Sequence, residues 1–279
     1  MFRWTDDMIR FMADAAGHTD FHRRLASELL PYLHPDDAVC DAGCGLGYLS
    51  LALALHVRHI TAAERDAAAL AVLRRELAAR HIENVTPLCA DVFTHRPAKP
   101  YDAMVFCFFG SMDEILSVAA ARCRGTVIAV KRDQTGHRFT VTKQPLGGIH
   151  GVDAACRRLS ELGIPYELKR TAFRFDQPFH SWEDARRFFE VYRRRDDVSL
   201  ITDALLRERL EETGDSEFPW RLPSLRPAGI LVFDAAKIQE GLNRKYDLQL
   251  TGNKPEISRK FQEINEIIRR KRQWMEKNG

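Results

Sequence analysis

No stretch of the 279-residue chain reaches about 18 consecutive apolar residues, and the longest candidates break at His56 or Asp102. A membrane-spanning helix is therefore not expected. The opening residues, MFRWTDDMIRFM, place acids where a secretory signal needs a basic segment and then an apolar one, so a cytoplasmic protein is expected. Cysteine is sparse and scattered, at 40, 44, 89, 107, 123 and 156, with no C-x-x-C, which argues against a disulfide framework. Cys40 and Cys44 are spaced C-x3-C, but an iron–sulfur cluster needs further cysteines close by and the next is Cys89. The pair reads as small buried hydrophobes. The ten histidines are dispersed, none beside a carboxylate at metal-ligand spacing on one helix, so no metal site is expected. Internal repeats and low-complexity stretches are lacking as well.

Nor is the body of the chain basic. Residues 237–279 carry 11 Lys and Arg against 6 Asp and Glu, which leaves 31 against 33 in residues 1–236. The body thus lacks the positive footprint of a nucleic-acid enzyme. The composition shift sets a boundary near Lys237. It divides the chain into an N-terminal helical cap (1–35), a main domain (36–236, with a helical insertion at 180–220) and a basic tail (237–279). Within the tail, Pro255 and Glu256 suit a helix start, and Ile257, Phe261, Ile264, Ile268 and Met275 fall on one helical face. That spacing predicts an amphipathic helix over 255–275. Its stripe needs a cover: the protein's own body, a second copy in a homodimer, a separate partner, nucleic acid or an anionic membrane surface.

What is present in the body is regular alternation. Helices are expected over 6–16 and 19–33, capped by Thr5 and Thr19, with Leu25, Leu29 and Leu33 at helical spacing. Apolar runs of strand length follow at 38–43, 59–64, 85–91, 101–110, 125–133, 166–175 and 228–236. Helical patterns separate them at 48–56, 66–81, 113–123 and 151–163. The fold class is α/β: a doubly wound, mostly parallel seven-stranded sheet with helices on both faces, plus the helical tail. The last two strands flank the insertion and are expected as an antiparallel edge.

The loop VCDAGCGLGYLS (39–50) follows the first strand, with Gly43, Gly45 and Gly47 at alternate positions. In an open α/β sheet, ligands bind at the carboxyl ends of strands, where the order reverses. A nicotinamide or flavin fingerprint needs G-x-G-x-x-G, yet the sixth position from Gly43 is Tyr48. The pattern is D-x-G-x-G-x-G. Its strand-end acid would repel a pyrophosphate but suits a ligand bearing an ammonium group. Glu64 ends the second strand 21 residues after Gly43, CADVF (89–93) follows the third strand, and YDAMVFCFFG forms the fourth. On this ordered set the chain resembles the class I S-adenosylmethionine-dependent methyltransferases over about residues 1–236. The resemblance implies S-adenosyl-L-methionine as cofactor and methyl transfer by in-line displacement. It also implies a cofactor-binding set of Asp41, Gly43, Cys44, Gly45, Gly47, Glu64, Arg65, Asp91, Val92 and Cys107. Within that set Glu64 would accept from the two ribose hydroxyls, Asp91 would bond the adenine amino group, and the Val92 backbone would contact the ring. From the residues alone, Glu64 also reads as a solvated strand-end acid and Asp91 as a cap or turn residue.

A sulfonium donor already carries an activated methyl, so catalysis rests on positioning and water exclusion. The fourth strand ends in Phe106-Cys107-Phe108-Phe109-Gly110, not the Asn/Asp-Pro-Pro-Tyr/Phe of amino-directed relatives, which counts against exocyclic-amine chemistry. A small-molecule acceptor is favoured, bound beneath the N-terminal helices and the insertion. The alternatives are RNA or protein docked through the tail, and a non-catalytic binding subunit. The three phenylalanines read as pocket wall or as core. Cys107, Ser111 and His150 are candidate catalytic groups, and Lys131, Arg132 and Asp133 could meet a polar acceptor.

Overall fold

Apolar runs pair into one seven-stranded sheet: β1 (Ala38–Ala42), β2 (His59–Glu64), β3 (Val85–Cys89), β4 (Tyr101–Cys107), β5 (Cys123–Arg132), β6 (Glu167–Arg174) and, after three short strands, β10 (Leu225–Asp234). The structure, a computed structural model, describes residues 3–133, 151–193 and 200–249, the last six by backbone alone. The strand order is β3-β2-β1-β4-β5-β10-β6. β1 to β5 pair in parallel, whereas β10 runs antiparallel between β5 and β6. The expected antiparallel pair is therefore present, with the reversed strand one place in from the edge.

Parallel neighbours need crossovers, and helices provide them. These are α3 (Tyr48–Leu53), α4 (Ala67–Ala79), α5 (Met112–Arg122) and α6 (Val152–Glu161), preceded by α1 (Asp6–His18) and α2 (Phe21–Leu29). Alternation along β4 feeds both faces: Val105 packs with Leu25, Leu53 and Leu70, while Met104 and Phe106 pack with Ile115, Leu116 and Leu159. Both faces being covered explains why these strands read as continuous apolar runs.

Three local details differ from expectation. Thr5 caps α1, accepting from the Met8 amide at 3.3 Å, but Thr19 does not cap α2. Its hydroxyl donates back to the Ala15 carbonyl at 2.8 Å, and Asp20 takes the capping position. The second helix ends at Leu29 and passes into a single 3₁₀ turn containing Pro31, which has no N–H to continue the ladder. β4 stops at Cys107 because Phe108 turns the chain with φ of +52°.

The insertion is not purely helical. Beside α7 (Trp182–Val191) and α8 (Asp203–Arg209) it holds β8 (Glu211–Glu212), which joins β7 (Gln177–Phe179) and β9 (Trp220–Leu222) in a second, antiparallel sheet. Such short strands leave no periodic signal in the sequence. α1 completes this unit. The Phe11 ring is fully buried, edge-on to Phe188 at 5.1 Å and to Phe179 at 6.2 Å. Around it Arg10 pairs with Asp184 at 2.6 Å and Arg187 with Asp7 at 2.8 Å.

After β10 the chain enters α9 (Ala235–Gln249), so the compositional boundary at Lys237 falls inside a helix. Ile238 is fully buried, and a Cβ on Gly241 would come within 2.7 Å of Ile164, which seats the start of α9 on the body. The amphipathic helix expected over 255–275 lies outside the described residues. Among the described residues, no helix is long and apolar enough to cross a membrane.

Phe11 ties two distant segments together, so Phe11→Ala should cost about 3–5 kcal/mol, the usual range for truncating a fully buried phenylalanine. The urea midpoint checks this. A loss under about 1 kcal/mol, the ordinary effect of an average substitution, would mean that α1 is not integral to the unit.

Candidate functional site

A cleft of about 520 Å³ opens at the carboxyl ends of β1, β2, β4 and β5. It lies where the strand order reverses, between β1 and β4, and its volume is that of a small-ligand site. The glycine loop forms one side. Gly43, Gly45 and Gly47 have φ of +73°, +56° and +79°, a region costly for other residues. Close packing adds a second demand: a Cβ on Gly43 would sit 2.5 Å from the Phe109 ring, and one on Gly47 2.5 Å from Leu73. Trp4 covers Gly45, with 3.1 Å to the corresponding position. The loop is pinned to β2, since the amides of Gly43 and Cys44 both donate to the Ala63 carbonyl, at 2.8 and 3.1 Å.

Asp41 ends β1 and is buried, its carboxyl accepting from the Ser50 hydroxyl at 2.6 Å. Burial pushes its pKa up to about 6; the Ser50 bond opposes that rise and the Glu64 charge adds to it. Glu64 is held from both sides. One oxygen accepts from the Gly45 amide at 3.2 Å, the other from the amides of Arg65 (2.8 Å) and Asp66 (3.1 Å). It is thus an oriented carboxylate bridging β2 and the loop. Asp66 in turn caps α4 and accepts from the Trp4 amide at 3.0 Å, which fastens the N-terminal segment over the loop.

Asp41, Gly43, Cys44, Gly45, Gly47, Glu64, Arg65 and Cys107 all line the cleft. Asp91 and Val92 are not among its lining residues. An Asp91 oxygen accepts from the Phe93 amide at 2.8 Å, and Val92 is buried in the core. Phe109 bridges the gap: its ring fills the space over Gly43 and stacks on Phe93 at 5.4 Å. Of the candidate catalytic groups, Ser111 is corrected. It caps α5 in a capping box with Glu114, its own amide donating to that carboxylate at 2.8 Å, so the hydroxyl has a structural task. The S-x-x-E at 111–114 was the signal for it. Burial pushes the Cys107 thiol well up, leaving it protonated and inert as a nucleophile. His150 lies outside the described residues.

At the end of β5 the three polar residues separate. Lys131 is buried and donates to the Gly110 carbonyl at 2.6 Å, holding the turn after β4, and burial lowers its pKa to about 8. Asp133 pairs with Arg170. Arg132 alone lines the cleft, with its guanidinium 5.8 Å from the centre of the Phe108 ring. Phe106 belongs to the core, whereas Phe108 and Phe109 form wall. Phe108 keeps a left-handed backbone despite its bulk, the kind of strain that collects at functional sites.

From the sequence, the N-terminal helices and the insertion are expected over the acceptor, but none of the side chains they contribute is named. Trp4 and Met12 from the N-terminus, Phe21 and His22 from the first turn of α2, Tyr48, Tyr192 and Arg226 all reach the cleft. His22 is wedged among Phe21, Tyr48 and Phe175. Burial, reinforced by the Arg226 charge, pushes its pKa down to about 3, so the imidazole is neutral at physiological pH. No short motif announces these residues, because tertiary packing alone brings them together.

Residues 15–107 match the family model described as the methyltransferase small domain. Among solved structures, the YcgJ protein of Bacillus subtilis aligns with a TM-score of 0.51 at 11% identity, covering 75% of this chain and 98% of its own. The precorrin-6y C5,15-methyltransferase of Geobacter metallireducens aligns with a TM-score of 0.45 at 15% identity, over 76% and 87% of the two chains. No curated protein gives a significant match. Sheet order, strand-end acids and glycine loop agree with the methyltransferase match over residues 15–107, and the chain has the Rossmann-like fold of the YcgJ structure.

Proposed function

We propose that the chain binds S-adenosylmethionine across the glycine loop and transfers its methyl group to a small-molecule acceptor held against the aromatic side chains of the same cleft. The observation that carries this reading is the lining of the cleft. Two carboxylates, Asp41 and Glu64, share it with the glycine loop and with aromatic side chains that include Phe21, Phe108 and Tyr192. The donor set fits the cofactor: an ammonium group and a ribose diol suit two carboxylates, and the loop leaves no room for further side chains. When bound, the cofactor supplies an activated methyl group and leaves a neutral thioether.

The chain's own residues orient the reactants and exclude water. Ionised Asp41 offsets a ligand cation, and Glu64 offers a carboxylate already oriented by three backbone amides. The aromatic wall keeps water from the acceptor. Proton removal there has little support from the described residues. At neutral pH, His22 is too weak a base, and burial holds the thiol of Cys107 and the phenols of Tyr48 and Tyr192 in their neutral forms, both phenols at about 12. Among the described residues, then, no side chain is suited to deprotonate the acceptor, and an acceptor atom that arrives already nucleophilic fits them best.

Calorimetry with S-adenosylhomocysteine should give micromolar affinity, roughly −8 kcal/mol. Glu64→Ala should weaken it by about 1.5–3 kcal/mol, the scale of a hydrogen bond to a charged group. Equal affinity in the two proteins would remove Glu64 from the ribose site.

Asp41 gives a pH signature. The ligand ammonium favours the ionised carboxyl, so affinity should fall as pH drops below about 6, towards tenfold per unit. Stability should move the other way. Between 3.8 and about 6 the folded protein holds a proton that the unfolded chain has lost, so this group's contribution rises as pH falls through that window. Asp41→Asn should flatten both trends. Parallel pH profiles of binding and melting for wild type and variant would contradict the assignment.

A further inference from the structure

We infer that Lys131 is a positioning residue for donor binding, acting from outside the cleft by fastening the turn that sets Phe109 against the glycine loop; this rests on the S-adenosylmethionine reading above. Alternation along β5 puts Lys131 on the face of Val127 and Ala129, which packs beneath α5. There the residue is 2% exposed, and its ammonium donates to the carbonyls of Gly110 at 2.6 Å and Phe109 at 3.5 Å. Lys131 is not among the residues that line the cleft. Its neighbour on the strand adds a second hold, since the Phe108 amide donates to the Val130 carbonyl at 2.9 Å. Two adjacent positions of β5 thus grip the three consecutive residues 108–110.

That grip maintains an unfavourable backbone. Phe108 and Gly110 have φ of +52° and +70°, so Phe109 stands between two left-handed residues, and a phenylalanine keeps such a φ only under constraint. The Phe109 ring is thereby laid on Gly43, 2.5 Å from where a Cβ would stand, and it stacks on Phe93 at 5.4 Å. Contact runs from ammonium to turn, from turn to ring, and from ring to the first loop glycine. A ring released from this position either fills the space over the loop or leaves the loop unsupported, and both weaken a ligand lying along it. Burial pushes the Lys131 pKa down to about 8, the Glu114 charge on α5 opposing the fall and the Arg132 charge on β5 adding to it. Gly229, opposite on β10, brings no side chain. Asp113 on α5 and Asp153 on α6 are engaged by Arg158 and Arg170, at 2.5 and 2.7 Å. The hold therefore loosens in mildly alkaline solution, where the amine loses its charge-assisted bonds.

The test measures S-adenosylhomocysteine affinity of the full chain by calorimetry between about pH 7 and pH 10, in wild type, Lys131→Met and Lys131→Arg. At pH 7 wild type should bind about tenfold more tightly than Lys131→Met, the scale of one bond from a charged donor, and Lys131→Arg should recover part of the difference. The ratio of wild-type to Lys131→Met affinity cancels the titration of the ligand and of Asp41. By pH 10 that ratio should shrink to within about twofold, because the wild-type ammonium has been lost. Equal affinity at pH 7 overturns the inference, and so does a ratio that stays constant with pH. NMR of the ligand-free wild type gives an independent reading: the Gly110 carbonyl and the Gly43 amide should titrate together, with a midpoint near 8. A silent Gly43 beside a titrating Gly110 would confine Lys131 to a local structural role and overturn the inference. Should the variants fail to fold, as judged by their melting curves, this shared titration decides. Absence of S-adenosylhomocysteine binding in wild type would instead defeat the methyl-transfer reading, and the shared titration would then judge the hold of Lys131 on the loop by itself.

Discussion

The hydroxyl of Ser50 donates to the Asp41 carboxyl at 2.6 Å, and the rest of the site depends on that contact. Asp41 is at the end of the central strand, and Ser50 lies in the helix after the glycine loop. The loop must close between them, and three left-handed glycines let it do so within five residues. A buried carboxyl with one hydrogen bond is costly when ionised, which is why its pKa stands near 6. The same cost makes it a strong attractor for a cation brought into the cleft.

From that fixed end the cleft is assembled by elements with separate origins. β2 contributes Glu64, already oriented by backbone amides. β4 contributes Phe108 and Phe109 on a strained turn, steadied beneath by the Lys131 bond to Gly110. The N-terminal segment lays Trp4 across the loop, while α2 brings Phe21 and His22 and the end of α7 brings Tyr192. Parallel strands supply a rigid edge, and the covering parts supply the aromatic surface.

How much of this was legible follows from where each signal resides. The five parallel strands and the two strand-end acids were readable, because burial on both faces writes continuous apolar runs and a D-x-G-x-G-x-G loop is local. The small second sheet was not: Glu211 and Glu212 form a two-residue strand with no periodicity to read. The Ser111 cap was written in its sequence and was read instead as chemistry. Thr19 and Asp20 are both good capping residues, and only the two further residues of α1, which runs to His18, chose between them. Arg226 lies in a run whose apolar part begins two residues later, and its place in the cleft exists only through pairing with β5 and β6. Local chemistry was visible, and so was the pairing of the N-terminal helices with the insertion; the particular side chains that distant segments bring to the cleft were not.

The ion pair between Arg10 and Asp184 joins residues 174 positions apart, and Phe11 meets Phe179 and Phe188 across a similar gap. During synthesis from the N-terminus, α1 emerges long before the partners that bury its phenylalanine. The apolar face of α1 must wait, exposed or shielded by other contacts, until the ribosome has delivered the second sheet. β10, inserted between β5 and β6, arrives later still. Contacts of such high separation fold slowly, since loop-closure entropy is met before they return anything. The cleft is thus completed only once β10 has been made, and a chain truncated before it would display the glycine loop without the wall that closes it.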